Sequence, residues 1–362
     1  MEKVFDAHIH HTFDIPMEKA VEIFKKEFAE TGVEGGIFLS VPHHEKGGVI
    51  DYECLQNVKM LYLKREFSPN FYAYAALVHP MEYLDKKSIK KEFLRQVKEY
   101  FSVGYDGIKM LEGYPSLLKV RGIPLDDEIY DDFYAFMQEN GYPITIHIAN
   151  PAVSWDITKA SKELIQAGRV YDSSYPSKEE ITAQIFRVMK KYPKLRLTLA
   201  HFGFLIGEKE NAERFLGDYE NTCLDITPGG EQYFRMLQDW DIWLAFIEKY
   251  QDKLLYGTDF YAFPNDDEAV WRTCFTRRPN FVRQFIETDD QHLYIDKPFQ
   301  GVKLEEKLRS KIYRDNAKHI FSAPKKIDEA YLYKETEKFL SFPNKIKKYA
   351  DEDIRFMLND LQ

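Results

Sequence analysis

Short apolar runs alternate with longer stretches of helical period along this chain. The strand-like runs are Val4–His8, Gly36–Val41, Phe71–His79, Gly107–Leu111, Ile144–Ala149, Leu195–His201, Thr222–Thr227 and Lys253–Thr258. Several are near-continuous β-formers, such as Gly-Ile-Phe-Leu-Ser-Val from 36 and Leu-Arg-Leu-Thr-Leu-Ala from 195. A strand covered on both faces reads this way, whereas a half-exposed strand would alternate polar and apolar positions.

Between the runs lie segments of 3.6-residue period. Met17–Thr31 puts Val21, Phe24 and Phe28 on one face and its charges on the other. Glu128–Asn140 stops at Asn140-Gly141-Tyr142-Pro143, and Ile181–Lys191 precedes a second proline-marked strand at Tyr192-Pro193. Tyr233–Tyr250 and Ala269–Glu287 continue the alternation. Eight strand–helix repeats predict an α/β protein whose parallel sheet closes into a (β/α)8 TIM barrel. The connection from Trp155 to Tyr175 is long enough for an extra helix at Thr158–Ala167, and Asp266 to Gly301 forms a second insertion. The tail from Lys303 reads as charged amphipathic helices. The expected division is a barrel over 1–322 and a helical C-terminal extension over 323–362 packed on it.

Composition narrows the function. With 362 residues, 27 Phe and 24 Tyr, the chain has material for a large core. A formal net charge of −9 gives no basic face for nucleic acid, and the short lysine pairs read as solvated helix faces. Cys54, Cys223 and Cys274 are too few and too scattered for a disulfide framework. Met1 to Phe5 lead into a strand with no apolar leader, and no run is long enough to span a bilayer. A cytoplasmic protein acting on a small molecule, with no nucleic-acid or membrane partner, is the expectation.

The chemistry gathers at the strand ends. Asp6-Ala7-His8-Ile9-His10 puts two histidines at i and i+2, on one face of an extended segment. His147 lies near the end of the fifth run, His201 closes the sixth and Asp259 follows the eighth. In a barrel these positions meet at the C-terminal rim, where groups that do chemistry sit. Singly, a histidine on an apolar strand is as often a core residue as a ligand. Five such groups at strand ends point to a metal centre instead. Imidazoles with one carboxylate suit Zn2+ or a similar divalent ion, which activates water near neutral pH.

At these residues the chain resembles the amidohydrolase superfamily, and within it the branch containing aminocarboxymuconate-semialdehyde decarboxylase. The resemblance rests on Asp6-Ala7-His8-Ile9-His10, Gly107-Ile108-Lys109, His147, His201-Phe202-Gly203, Gly257-Thr258-Asp259 and Asn316-Ala317-Lys318-His319-Ile320-Phe321. It covers roughly residues 4 to 321. It implies that His8, His10, His147 and Asp259 hold one divalent metal, commonly zinc, with Asp259 and His201 as the catalytic acid/base groups. In binuclear relatives a carboxylated lysine at the place of Lys109 bridges two ions and the sixth-strand histidine joins them. Lys109 and His201 are therefore the residues on which a second ion would depend.

Two other barrel types fit less well. One closes with Asp-x-His, where this chain has Asp259-Phe260-Tyr261. A DNase branch expects glutamate where Lys109 stands. The resemblance leaves the reaction open between hydrolysis with metal-activated water and decarboxylation or hydration at the same centre. A barrel that binds metal without catalysis is the third alternative. His43, His44, His79, Tyr114, Arg121, Trp155, Arg277 and Arg278 are candidates for contacting substrate, arginine being the usual carboxylate clamp. The pair Arg277-Arg278 also reads as a charged turn before Pro279. The aromatic-rich tail suits either a homodimer contact or packing on its own barrel.

Overall fold

The computed structural model describes residues 1–11, 15–41, 50–79, 85–166, 168–229, 232–260, 268–341 and 350–362, leaving aside the side chains of 50–54, 163 and 268–276. His43 and His44 lie outside the described residues.

Eight parallel strands follow one another around the sheet in chain order: β1 (Val4–Ile9), β2 (Val33–Leu39), β3 (Phe71–Ala76), β4 (Gly107–Gly113), β5 (Pro143–Ile148), β6 (Arg196–Leu199), β7 (Thr222–Asp225) and β8 (Leu254–Leu255). The last strand is short, and the segment after it completes the closure. Ala7 N donates to Tyr256 O at 2.9 Å and His10 N to Phe260 O at 2.9 Å. Residue Ile9 bridges Phe260 in parallel sense. The molecule is a (β/α)8 TIM barrel, as its hydrophobic pattern predicts.

Helices cover the outside because their apolar stripes match the outward faces of the strands. The main ones are α1 (Met17–Thr31), α2 (Ile50–Phe67), α3 (Lys86–Val103), α4 (Pro115–Arg121), α5 (Asp131–Asn140), α6 (Lys162–Gln166), α7 (Lys178–Lys191) and α8 (Lys209–Asp218). They are started by side-chain caps where the sequence supplies them: Asp85 accepts from Ser88 N at 3.0 Å and Ser177 from Glu180 N at 3.1 Å. Phe24, Phe28, Phe38, Phe67 and Phe71 pack ring on ring between α1, α2 and the first strands. Such pairs add to the burial of their area by about 0.5–1.5 kcal/mol each.

Several boundaries differ from the sequence expectation. The segment Tyr233–Tyr250 is two helices, α9 (Gln232–Gln238) and α10 (Trp240–Lys249), broken at Asp239. The extra helix expected at Thr158–Ala167 shrinks to α6, because Asp156 accepts from Thr158 N and Oγ1 and holds residues 156–160 in a turn. The insertion from Asp266 contains α11 (Glu268–Glu287) and an antiparallel hairpin of β9 (Gln291–Tyr294) and β10 (Lys297–Gln300). Arg277 and Arg278 are not a turn: Pro279 lies inside α11.

The chain then runs through α12 (Glu306–Ser310), α13 (Asn316–Ile320), α14 (Glu329–Lys338) and α15 (Ala350–Asp360). Asp353 on α15 is fully buried, pairs with Lys59 of α2, and accepts from Met17 N at the start of α1 at 2.6 Å. An acid there satisfies one of the orphan amides at the start of α1 and complements its dipole. No helix among the described residues is long and apolar enough to cross a membrane.

Candidate metal centre

The ends of β1, β5, β6, β7 and β8 converge at the C-terminal rim, and the parallel barrel brings together groups from opposite ends of the chain. His8 is fully buried; its Nδ1–H donates to Asp225 Oδ2 at 2.8 Å. His10 is buried beside it and its Nδ1–H donates to the Leu39 carbonyl at 2.7 Å. Each acceptor fixes a tautomer and leaves Nε2 as a bare lone pair. The two Nε2 atoms stand 2.9 Å apart, and Asp259 Oδ1 lies 3.7 and 3.4 Å from them. Lone pairs and a carboxylate this close repel one another unless a cation lies among them. This donor set fits a divalent metal, with the outward nitrogens held in the manner usual for metal-ligating histidines.

Ligand atoms of His8, His201 and Asp259 lie within 4.8 Å of one another. The His201 ring centre is 4.9 Å from that of His8 and 5.0 Å from that of His147, and its Nδ1 is buried without a hydrogen-bond partner. In His147, Nε2–H donates to the Ala149 carbonyl at 3.0 Å, which leaves Nδ1 as its lone pair. The structure thus brings His8, His10, His201 and Asp259 together, while His147 meets the group through its ring contact with His201 and lies outside the set of ligand atoms close enough to share an ion.

Backbone conformation marks the same positions. Ala149, His201, Phe202, Phe204 and Asp259 have φ between 51° and 55°, in the left-handed region that non-glycine residues rarely adopt. Each such residue costs about 1–3 kcal/mol, and residues of this kind gather where geometry serves a site. Here the kinks turn His201 and Asp259 into the mouth of the barrel.

Charge is managed by burial. Burial, with the Lys109 ammonium second, holds His8 and His10 well below the ordinary imidazole range. His201 is lowered likewise, by burial and then by His147, and His147 is pushed down to about 3. All four imidazoles are therefore neutral at physiological pH. Lys109 is buried within β4 and pushed down to about 8 by that burial, against the attraction of Asp225 and Glu112.

Asp225, at the end of β7, is not among the residues expected from the sequence. Its Oδ1 accepts from His201 N at 2.7 Å and Thr227 N at 3.2 Å, while Oδ2 holds His8. Burial raises it to about 6. Asp6 plays a matching part across the β1–β8 seam, accepting from His8 N, Thr258 N and Thr258 Oγ1. A faint signal exists for Asp225: the run Thr-Cys-Leu-Asp-Ile-Thr carries an acid at the same rim level as His201 and Asp259.

The other candidates divide. Arg278, partly buried on α11, pairs with the Asp259 carboxylate and donates to its carbonyl oxygen at 2.9 Å. Arg277 is its neighbour on the same helix. The Tyr114 ring meets that of His147 edge-on at 5.3 Å. His79 and Arg121 both contact Glu112, at 3.1 and 3.5 Å, next to the centre on the β3–β4 side. Trp155 donates to Pro176 O and packs on Tyr171.

Fold and site together make a TIM barrel with a histidine–carboxylate group at its rim that could hold a metal ion. The amidohydrolase family model matches residues 6–322, and the chain belongs to that family. Members of this family bind a divalent metal. Similar solved structures include an uncharacterised TIM-barrel protein from Bordetella bronchiseptica, at 15% identity over 88% of this chain and 98% of that one, with a TM-score of 0.55. A 4-oxalomesaconate hydratase from Rhodopseudomonas palustris is 16% identical over 88% and 95%, TM-score 0.52. A 2,6-dihydroxybenzoate decarboxylase is 16% identical over 89% and 99%, TM-score 0.48. Among curated protein sequences none is significantly similar to this chain.

Proposed function

We propose that this chain is a metal-dependent hydrolase acting on a small polar or carboxylated molecule in the cytoplasm. The observation that carries the proposal is the pair of bare Nε2 atoms of His8 and His10 facing each other and Asp259. His8, His10, His147 and Asp259 would hold one ion, and zinc suits three imidazoles and a carboxylate best. Such an ion, when bound, lowers the pKa of a coordinated water to about 7 and polarises an oxygen of the substrate.

The chain's own residues supply the rest. Asp225 holds His8 in its tautomer and, through the His201 amide, the bend that aims His201 into the mouth. Asp259 takes the proton of the attacking water. His201, neutral and with a free ring nitrogen, stabilises charge developing on the substrate. Lys109 is the residue on which a second ion would depend; without carboxylation it is a buried cation facing Asp225 and Glu112.

A second reading, a decarboxylase or hydratase at the same centre, is favoured by the Arg278–Asp259 pair. A guanidinium on that carboxylate occupies the lone pairs a base must offer. Asp259 would then be a ligand only, and His201 would return a proton to the substrate carbon. A substrate screen on zinc-loaded protein, following CO2 release, carbon–carbon double-bond hydration and ester or lactone hydrolysis in parallel, separates the two. Hydrolysis that disappears in His8→Ala supports the first reading. CO2 release or hydration that disappears in the same variant replaces it with the second, and turnover unaffected by His8→Ala sinks both.

A further inference from the structure

Next to the metal centre, between the loops that follow β5 and β6 and helix α9, lies a cavity of about 160 Å³. A cavity of about 150 Å³ accepts a benzene ring. Its walls are polar and apolar in about equal measure: Pro151, Ile206, Phe204 and Phe234 lie among the apolar residues, and Gln232, Arg235 and Gln238 are the polar ones. The cavity adjoins the centre directly. Phe204 is shared, its ring stacked on His201 at 5.3 Å. A Cβ built on Gly229 would lie 2.8 Å from Gln232 Nε2, 2.9 Å from His201 Cβ and 2.9 Å from the Phe204 ring, so these three groups surround one point.

Gln232 lacks the partners that its burial would ordinarily demand, while Arg235 is exposed and carries its charge at the cavity's edge. Gln232 is 5% exposed, yet neither its amide nitrogen nor its amide oxygen has a hydrogen-bond partner. A buried amide left so costs about 1–3 kcal/mol, and a fold retains such a group where something else completes it. Arg235 lies flat against the chain at Gly207, where a Cβ would come within 2.4 Å of its Nη2. No carboxylate among the described residues pairs with it.

We infer that this cavity receives the non-reacting arm of the substrate, an apolar, ring-sized group ending in a carboxylate. The arm's body packs against Phe204 and Phe234, its carboxylate meets Arg235, and Gln232 supplies the donor that orients it. The assignment rests on the metal-enzyme reading for its use in catalysis, but the pocket is built from residues that do not touch the metal. It names a substrate class: small organic acids whose carboxylate stands about one ring away from the reacting carbon.

The test uses 3-phenylpropionate as the probe and its uncharged amide as the control, titrated calorimetrically into chelator-treated full-length protein. The acid should bind saturably, the amide about ten-fold more weakly, and Arg235→Gln should cost the acid roughly ten-fold or more, the usual scale for losing a charge-assisted contact. Gln232→Leu should weaken both ligands. Arg235 is exposed, so its replacement leaves the fold in place. Binding of equal strength to wild type and Arg235→Gln, or no saturable binding, overturns the pocket. If zinc fails to bind while the Arg235-dependent titration succeeds, the pocket stands and the metal-enzyme reading falls. Zinc binding without that titration keeps the metal-enzyme reading and overturns the pocket.

Discussion

Two buried polar clusters in this molecule look alike by charge and differ in kind. At the rim, His8, His10 and Asp259 point acceptor atoms at one another across a few ångströms with His201 beside them, and His201 and Asp259 sit on backbone bent into the left-handed region. Outside the barrel, Asp353 meets the Lys59 ammonium and the Met17 amide, and nearby Lys64 meets Asp106 at 2.7 Å and two carbonyls. The second cluster is complete: each charge has its opposite, and its work is to fasten α15 to α1 and α2. In the first, Arg278 pairs with Asp259, yet the Nε2 lone pairs of His8 and His10 face each other with no donor between them. Burial of charge therefore does not identify a site; unsatisfied donor sets on strained backbone do.

Removing one partner from the complete cluster should hurt stability most. Asp353→Ala strands Lys59 and opens the start of α1, and urea denaturation should show a loss of about 3–5 kcal/mol with metal content per folded chain unchanged. A loss below about 1 kcal/mol would mean the latch is not what holds the tail. Asp225→Asn acts on the rim cluster. It keeps the size of the side chain while weakening the grip on His8, so metal affinity measured by competition with a chelator should drop about 10–100-fold, with only a modest change in denaturation midpoint. An unchanged affinity would remove Asp225 from any part in holding the ion. The smallest effect belongs to the exposed rim of the latch, where Arg65 contacts Asp360 and Glu329. Arg65→Ala should cost no more than about 1 kcal/mol in the same denaturation, since solvent screens such pairs.

The same contrast governs what can be read from the chain. All eight strands are legible because parallel strands covered on both faces are runs of β-formers bounded by glycine, proline or charge. That His8, His10, His201 and Asp259 would meet is legible because the barrel maps strand ends onto one rim. Asp225 is harder to read: it too ends a strand at the rim, but a carboxylate that orients a ligand carries no spacing of its own. A turn at Arg277-Arg278 is the natural expectation because Pro279 ordinarily interrupts a helix, yet here it sits within α11. The latch and the Gln232–Arg235 pocket have no signature in the sequence. Both join segments whose proximity only the closed fold creates: 294 residues separate Lys59 from Asp353.

A metal centre at the rim cluster must show itself as bound ion. Elemental analysis of the purified protein, reconstituted with zinc and freed of excess, tests it directly alongside the His8→Ala/His10→Ala double variant. The account predicts about one equivalent of divalent ion per chain in the wild type, near none in the variant, and a far-ultraviolet circular dichroism spectrum common to both. Less than about half an equivalent in the reconstituted wild type, or equal occupancy in the double variant, would contradict it.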